Sequence, residues 1–356
     1  MKLKYIVNAN LNGNFARSVQ INANTRVFSE SLRGDFQCVA VGERSDNYKN
    51  IWVCNIEQES SSIRKLMFHS QVVVDILKSD VVYSRNLSVL WLASLLGKKI
   101  VWEIHDSISG TNKRIFNRLR HKLKVVAISE ALKKYLLAEF NIIEKQVLVA
   151  HDGVFLDKYD ALRNVEKSLL REELGLPINK TIVMHTGSLF SGRGAELFDT
   201  VIRNFPELYF VQVGGKEKDI EYWKSQYREF SNIEFFGHQD NSTLVKFQMA
   251  ADLMFLPMTK ASSIWWCTSP MKLFEYMATG NPICTSKLGS LTEVLNTDNS
   301  FQFDPQSEES IVTSIQGFIN SPELGRMFGN KCLKEVAELY TWEQRGQNIC
   351  RFIFEC

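Results

Sequence analysis

The sequence predicts an α/β protein with two doubly wound domains, and three observations support this fold class. The chain has 356 residues, a length that fits two domains of about 150 residues each. Short apolar runs alternate with segments of helical periodicity along most of the chain, which is typical of parallel sheets covered by helices on both faces. The runs form two successive series, so we expect one parallel sheet in each domain.

The candidate strands are short runs rich in Val, Ile and aromatic residues. The first series lies at 4–8, 36–41, 51–54, 81–84, 99–104, 125–128 and 146–150. The second series lies at 181–186, 208–213, 232–236, 252–256, 282–285 and 300–303. The helical patterns between them include 16–31, 87–97, 130–139, 240–250, 270–279 and 307–320.

The break between the two series falls near 155–180. A polar stretch at 158–167 leads there into a short helical pattern that stops at Gly175 and Pro177. We therefore expect a first domain at 1–165 and a second domain at 166–339.

Composition excludes several classes of protein. Hydrophobic residues make up 45% and charged residues 23%, which is ordinary for a globular chain and excludes a disordered one. No apolar run reaches the roughly 20 residues that span a bilayer, and residues 1–8 form a strand pattern rather than a signal peptide. Seven scattered cysteines without a CxxC pair argue against a zinc site or a disulfide framework. We expect a cytoplasmic protein.

The charge is distributed unevenly between the two halves. Residues 1–165 hold 24 Lys and Arg against 16 Asp and Glu, a balance of +8, whereas 166–356 hold 18 against 24, a balance of −6. Six of the cations lie at 113–124, a segment without carboxylates whose apolar positions 115, 116, 119 and 123 recur near one helical turn. Such a helix can lie on an anionic membrane; the alternative is a solvated basic face whose apolar stripe packs on its own domain. No recognisable nucleic-acid-binding motif accompanies it.

The densest candidate site is the segment CTSPMKLFEYMATGNPI at 267–283. Ser269 and Pro270 form a start signal for a helix, with Ser269 as the cap and Pro270 as the first helical residue. The start of a helix suits a phosphate. Lys272 in the first turn opposes the helix dipole unless an anion lies beside it, and it shares a helix face with Glu275. A surface salt bridge between these two residues is the alternative.

Two further segments follow strands. GSLFSGRG at 187–194 contains Gly187 and Arg193 and could hold a diphosphate, although such loops are frequent in doubly wound folds. WEIHD at 102–106 places His105 at the carboxyl end of a strand, where open α/β sheets bind ligands; a structural histidine is the alternative. The sequence lacks GxxxxGK[ST], a GxGxxG after the first strand, GxSxG and a DxD pair.

Taken together, these segments resemble the retaining glycosyltransferases of family 4. The resemblance covers essentially the whole chain and rests on motifs in the family's order: DVVYSR at 80–85, WEIHD at 102–106, VAISE at 126–130, HDGV at 151–154, GSL at 187–189, FGH at 236–238, SPMKLFEYMATGNPI at 269–283 and YTW at 340–342. It implies the GT-B fold, in which two Rossmann-like domains face each other across a cleft. It also implies that 340–356 return to pack on the first domain.

The resemblance implies a role for individual residues. Glu275 matches the glutamate that binds the ribose hydroxyls, and Arg193 matches a basic residue that contacts the diphosphate. His105 matches a histidine near the donor sugar. Gly237 and His238 match a loop whose backbone contacts the base of the nucleotide. Gly13 lies near the position of a glycine-containing loop that meets the diphosphate and the acceptor. Two positions differ from the family, because Cys267 replaces a glutamate that touches the donor sugar and Ser188 replaces a basic residue; we expect Lys272 to supply the missing cation.

The function implied is a retaining, metal-independent transfer of a sugar from a UDP- or GDP-sugar, without a further cofactor. His105, Arg193 and Lys272 are the expected catalytic residues. Gly13, Gly187, Gly237, His238, Ser269, Pro270 and Glu275 are the other expected donor-binding residues. We expect a lipid-linked or oligosaccharide acceptor in surface polysaccharide biosynthesis, a peripheral position on the inner face of an anionic cytoplasmic membrane, and no nucleic-acid partner. A sugar-nucleotide epimerase and a non-catalytic sugar-nucleotide-binding protein are the alternatives.

Overall fold

The computed structural model of the chain describes residues 1–11, 16–41, 51–54, 61–190 and 192–354. The chain divides into two compact units. The first unit contains Met1–Asp152 and Trp342–Cys356, and the second contains Gly153–Thr341. Residues 153–165, which we predicted to end the first domain, belong to the second unit because Tyr159 is buried there and its hydroxyl donates to Gln248 Oε1 at 2.7 Å.

The first unit contains a parallel sheet of seven strands. The strands are β1 (Leu3–Asn10), β2 (Phe36–Val41), β3 (Ile51–Cys54), β4 (Val81–Ser84), β5 (Lys99–Ile104), β6 (Leu123–Ala127) and β7 (Val147–Val149). Their order is β3-β2-β1-β4-β5-β6-β7, and every neighbouring pair is parallel. The order therefore reverses direction between β1 and β4, as in other doubly wound sheets.

The second unit contains a parallel sheet of six strands. They are β8 (Ile182–Thr186), β9 (Tyr209–Val213), β10 (Ile233–Phe236), β11 (Leu253–Leu256), β12 (Ile283–Ser286) and β13 (Phe301–Phe303), in the order β10-β9-β8-β11-β12-β13. Alternate residues of β8 pack in different core clusters, Ile182 and Met184 in one and Val183 in the other. Both faces of this sheet are therefore buried.

Helices connect the strands in both units. They are α1 (Ala16–Leu32), α2 (Ser61–Leu77), α3 (Leu87–Leu95), α4 (Gly110–Leu119), α5 (Glu130–Phe140), α6 (Asp157–Asp160), α7 (Lys167–Leu174), α8 (Phe198–Asn204), α9 (Glu217–Gln226), α10 (Asn241–Ala250), α11 (Met271–Thr279), α12 (Glu308–Asn320), α13 (Pro322–Leu339) and α14 (Trp342–Phe354). The predicted fold class, α/β with two Rossmann-like doubly wound sheets, is confirmed.

The last helix, α14, packs within the first unit. Gly346 lies so close to α1 that a Cβ atom there would collide with the side chain of Val27. At the end of α14, the amine of Lys124 in β6 donates to the carbonyl of Phe352 at 2.6 Å. These contacts bring the chain terminus back to the sheet on which the chain began.

The segment 113–124 does not form the amphipathic membrane helix that its pattern predicts. Helix α4 ends at Leu119, and Leu123 already belongs to strand β6. Phe116, Leu119 and Leu123 are buried, and the ring of Phe116 lies 5.0 Å from that of Phe140. The expected apolar stripe therefore packs on its own unit, and the prediction that it faces a lipid surface is wrong. Among the described residues, no helix is long and apolar enough to cross a membrane.

Candidate functional site

Three neighbouring strands of the second unit end at one edge of the sheet, and each is followed by a glycine. Because β8, β9 and β10 are parallel, Gly187, Gly214 and Gly237 lie at the same edge. The amide of Gly187 donates to the Val213 carbonyl at 2.8 Å, and that of Gly214 donates to the Phe236 carbonyl at 3.0 Å. The order of strands reverses between β8 and β11, and the carboxyl ends at such a point are where doubly wound sheets bind ligands.

Lys272 lies in the first turn of α11, with its amine at the turn that follows β8. Its Nζ atom is 3.1 Å from Nε2 of His185. A Cβ atom on Gly187, whose φ is +139°, would lie only 2.8 Å from that amine. Burial and the charge of Arg193 lower the pKa of Lys272 to about 7, against the opposing influence of Glu275. A phosphate bound here would raise this pKa again and favour the ammonium form.

Arg193 lies in the loop after β8 and is partly buried. Its guanidinium group stands 4.9 Å from the centre of the Phe190 ring. Among the described residues, its buried Nε atom has no hydrogen-bond partner. Burial lowers the pKa of Arg193, which indicates a poorly compensated positive charge. A guanidinium with an unused N–H group can donate a charge-assisted hydrogen bond to an anion.

Glu275 follows Lys272 by one helical turn and is partly buried, next to the buried side chains of Gln248 and Thr186. Its Oε2 atom accepts a hydrogen bond from Gln248 at 3.1 Å, and the same amide group donates to Thr186 Oγ1 at 3.2 Å. Burial raises the pKa of Glu275. Lys272 and Glu275 influence each other's pKa, but they form no ion pair with each other. The alternative of a surface salt bridge is therefore excluded, and the carboxylate can take a further donor.

The start of α11 differs by one residue from the prediction. The helix begins at Met271, and Pro270 precedes it with extended backbone, so Pro270 takes the capping position that we assigned to Ser269. Ser269 is buried directly before it. Cys267 is also fully buried, with its Sγ atom directed to the Ile264 carbonyl at 3.8 Å. It therefore lies inside the loop before α11 and not on its surface.

The remaining predicted donor-binding residues lie in loops. Gly237 and His238 are exposed directly after β10, at the same sheet edge as Gly187. Gly13 lies outside the described residues. The second unit thus brings together Gly187, Lys272 and Glu275, and the charge of Arg193 acts on Lys272. His238 is exposed.

In the first unit, His105 directly follows β5 and contacts a buried carboxylate. Its Nε2 atom is 2.5 Å from Oε1 of Glu103, which also accepts a hydrogen bond from Arg85 at 2.6 Å. The other oxygen of Glu103 lies 3.4 Å from a guanidinium nitrogen of Arg345 in α14 and accepts from the hydroxyl of Tyr83. Glu103 is therefore surrounded by hydrogen-bond donors from four parts of the unit.

The charges around Glu103 determine the protonation of the neighbouring groups. The guanidinium groups of Arg85 and Arg345 hold the pKa of Glu103 well below its usual range despite its burial. Burial and Arg85 lower the pKa of His105 to about 4. His105 is therefore neutral at pH 7, donates from Nε2 to the carboxylate and keeps Nδ1 as an acceptor. Burial raises the pKa of Asp152, whose carboxylate accepts from Gln20, to about 6.

Sequence reasoning missed several of these polar residues. His185, Gln212 and Glu103 each stand inside an apolar strand run, at IVMHT, YFVQV and KIVWEI. A buried polar side chain in such a run needs a hydrogen-bond partner. The presence of one polar residue inside each apolar run was therefore the signal that could have identified them. Among the described residues, no group of three or more His, Cys, Asp and Glu could hold a metal ion.

The chain is similar to known glycosyltransferases. Residues 166–334 match the family model of the glycosyl transferases group 1. An uncharacterised glycosyltransferase of Methanocaldococcus jannaschii is 24% identical over 227 residues, which make up 62% of this chain and 57% of that relative's length.

Solved structures share the fold over the whole chain. The structure of Anabaena HepE in complex with UDP and glucose has a TM-score of 0.78 at 17% identity. The alignment covers 100% of this chain and 100% of the HepE chain. WaaG, a glycosyltransferase involved in lipopolysaccharide biosynthesis, has a TM-score of 0.68 at 13% identity, over 99% of this chain and 100% of WaaG. These structural comparisons show that the chain shares the fold of these glycosyltransferases.

Proposed function

We propose that this chain is a retaining glycosyltransferase that takes its sugar from a nucleoside-diphosphate sugar and needs no metal ion. The observation that carries the proposal is the partly buried group of Lys272, Arg193 and Glu275 beside the Gly187 turn. Two cations and the start of a helix can bind a diphosphate, and the carboxylate can accept hydrogen bonds from hydroxyl groups. The family match over 166–334 and the fold shared with UDP-bound HepE support the proposal.

The proposed chemistry begins with departure of the diphosphate from the donor sugar. Negative charge then develops on the leaving oxygen, and Arg193, Lys272 and the first turn of α11 after Ser269 and Pro270 would stabilise it. The leaving oxygen would take the proton of the acceptor hydroxyl on the same face of the sugar, which retains the configuration. No carboxylate base is needed in this scheme. The neutral His105, with Nδ1 as an acceptor, suits the contact with a sugar hydroxyl that the family resemblance implies.

Replacing Glu275 by alanine is expected to weaken binding of the nucleoside diphosphate by about 10- to 150-fold. The variant loses charge-assisted hydrogen bonds from ribose hydroxyls, which contribute about 1.5–3 kcal/mol. Calorimetric titration with UDP and GDP measures the effect and also identifies the nucleotide. Glu338→Ala, at an exposed position of α13, is the matched control. An unchanged dissociation constant in Glu275→Ala would contradict the assignment of this carboxylate.

A second candidate is a sugar-nucleotide-binding protein without turnover. The burial of Cys267, at the position of the family's sugar-contacting glutamate, favours this candidate. Binding of a UDP- or GDP-sugar without transfer to any member of a broad acceptor panel would support it. Release of labelled hexose epimer from the sugar nucleotide alone would instead indicate an epimerase.

We further propose that the acceptor is lipid-linked or an oligosaccharide and that the first unit contacts an anionic membrane through α3 and α4. WaaG, which shares the fold, is a glycosyltransferase involved in lipopolysaccharide biosynthesis. Because the stripe on α4 is buried, the apolar part of this surface would come from α3, where Trp91 and Leu95 are one turn apart and 41% and 66% exposed. Helix α4 contacts α3, and exposed cations lie on α4 or closely after it, at Lys113, Arg114, Arg118 and Lys122.

Wild-type protein is expected to cosediment with anionic liposomes, and a variant with Lys113, Arg114, Arg118 and Lys122 changed to Glu is expected to lose this binding. Each basic residue near an anionic surface contributes about 1 kcal/mol, and salt screens the attraction. Arg120 is left unchanged because its guanidinium donates to the Phe140 carbonyl at 2.5 Å. The matched control changes four exposed cations of the second unit to Glu, at Lys216, Lys218, Lys224 and Arg228. Equal binding by both variants, or binding that ignores salt, would contradict the membrane surface.

A further inference from the structure

The amine of Lys272 is held by a chain of hydrogen bonds that begins in the sheet. Its Nζ atom is 3.1 Å from Nε2 of His185, and Nδ1 of the same ring is 2.5 Å from Oε1 of Gln212. The amide nitrogen of Gln212 donates to the carbonyls of Gly187 at 2.9 Å and Gly214 at 3.2 Å. Both His185 and Gln212 are completely buried. Two glycine turns at the sheet edge are thus linked to one lysine through two side chains.

The direction of each hydrogen bond follows from the groups at the two ends of this series of hydrogen bonds. Because the Gln212 amide donates to two carbonyls, its oxygen faces His185 as an acceptor. His185 must then donate from Nδ1, and its Nε2 atom carries the lone pair that accepts from Lys272. Burial and the positive charge of Lys272 hold the pKa of His185 well below its usual range, so the ring stays neutral. A neutral acceptor can bind the ammonium group without cancelling its charge.

We propose that His185 and Gln212 are positioning residues that hold the ammonium group of Lys272 at the Gly187 turn, where it binds the diphosphate of the donor. This inference rests on the proposed function. In this chain Ser188 follows Gly187, at a position where the family resemblance implies a basic residue. The inference explains how the turn instead obtains a fixed cation from Lys272 on helix α11. A free lysine side chain would lose much of its rotamer freedom on binding a phosphate. The chain of hydrogen bonds removes this freedom before the ligand arrives, as electrostatic preorganisation requires.

The experiment compares the affinity for a nucleoside diphosphate with that for the nucleoside alone. UDP, uridine, GDP and guanosine are titrated into wild-type protein and into His185→Phe, which keeps a ring but removes the acceptor. The diphosphate is expected to bind about tenfold or more weakly to His185→Phe, while the nucleoside binds unchanged, because a charge-assisted contact is lost only to the phosphate. His185→Gln, which retains an acceptor for the amine, is expected to keep most of the preference. Gln212→Met is the second variant should His185→Phe fail to fold.

Phe198→Leu is the matched control for packing. The ring of Phe198 lies 5.3 Å from that of His185, and the side chain takes no part in the polar chain. This variant is expected to lower thermal stability and to leave the ratio of diphosphate to nucleoside affinity unchanged. If wild-type protein binds neither diphosphate, the proposed function is overturned together with the inference. If it binds one, and His185→Phe and Gln212→Met keep the wild-type ratio, only the positioning role is overturned.

Discussion

Glu103→Ala is expected to lower the free energy of unfolding of the first unit by about 3–5 kcal/mol, the cost of breaking a buried ion pair from one side. The carboxylate is fully buried between the guanidinium groups of Arg85 and Arg345. Without it, both guanidinium groups lose their direct anionic partner in a low-dielectric interior and keep only the more weakly interacting carboxylate of Asp152 nearby. The hydroxyl of Tyr83 and the amide of Asn24, which donate to the same carboxylate, would also lose their acceptor.

Urea denaturation of the full chain, monitored by a signal that reports on the first unit, measures this loss of unfolding free energy. Glu139→Ala, at an exposed position of α5, is the control, and surface substitutions of this kind change stability by at most about 0.5 kcal/mol. The pH dependence gives a second readout. Because the pKa of Glu103 is well below its usual range in the folded chain, its stabilisation is present at neutral pH and is lost on acidification. A loss in Glu103→Ala no larger than in Glu139→Ala would contradict the proposed role of the ion pair.

The strands were predictable because they depend on local pattern. Each of the thirteen runs predicted as strands, such as the one that becomes β8, overlaps a strand of one of the two parallel sheets. The candidate residues near the ends of these strands were predictable for a related reason. Parallel strands bring their carboxyl ends to one edge of the sheet. A parallel sheet therefore predicts that Gly187 and Gly237 lie at the same edge.

The partners of the buried polar residues were not predictable in this way. Glu103 and Arg345 are 242 positions apart, and His185 and Lys272 are 87 apart. Periodicity reports which face of an element is buried but not which distant side chain completes a hydrogen bond there. The same restriction explains the error at 113–124. An apolar stripe beside cations has one pattern whether Phe116 faces a lipid surface or the ring of Phe140.

Arg193→Met is expected to lower turnover by about 10- to 1,000-fold, the range for loss of a donor that stabilises charge in a transition state. Methionine has a similar reach and removes the charge. In the proposed mechanism the guanidinium group, whose Nε atom has no hydrogen-bond partner among the described residues, donates to the leaving diphosphate. Because the charge on that diphosphate is greatest as it leaves, we expect kcat to fall more than the affinity for the donor. Steady-state transfer of labelled sugar from the UDP- or GDP-sugar identified by titration measures both quantities.

The same assay in EDTA tests whether these residues replace a metal ion. In the proposed mechanism Arg193 and Lys272 neutralise the diphosphate, and the sequence has no DxD pair, so wild-type turnover is expected to persist in the chelator. Arg228→Met, at an exposed position after α9, controls for removal of a positive charge from the same unit. Loss of wild-type activity in EDTA, restored by magnesium or manganese, would show that a metal ion performs the neutralisation. Wild-type turnover in Arg193→Met would show that Lys272 and the start of α11 suffice without the guanidinium group, and would remove Arg193 from the mechanism.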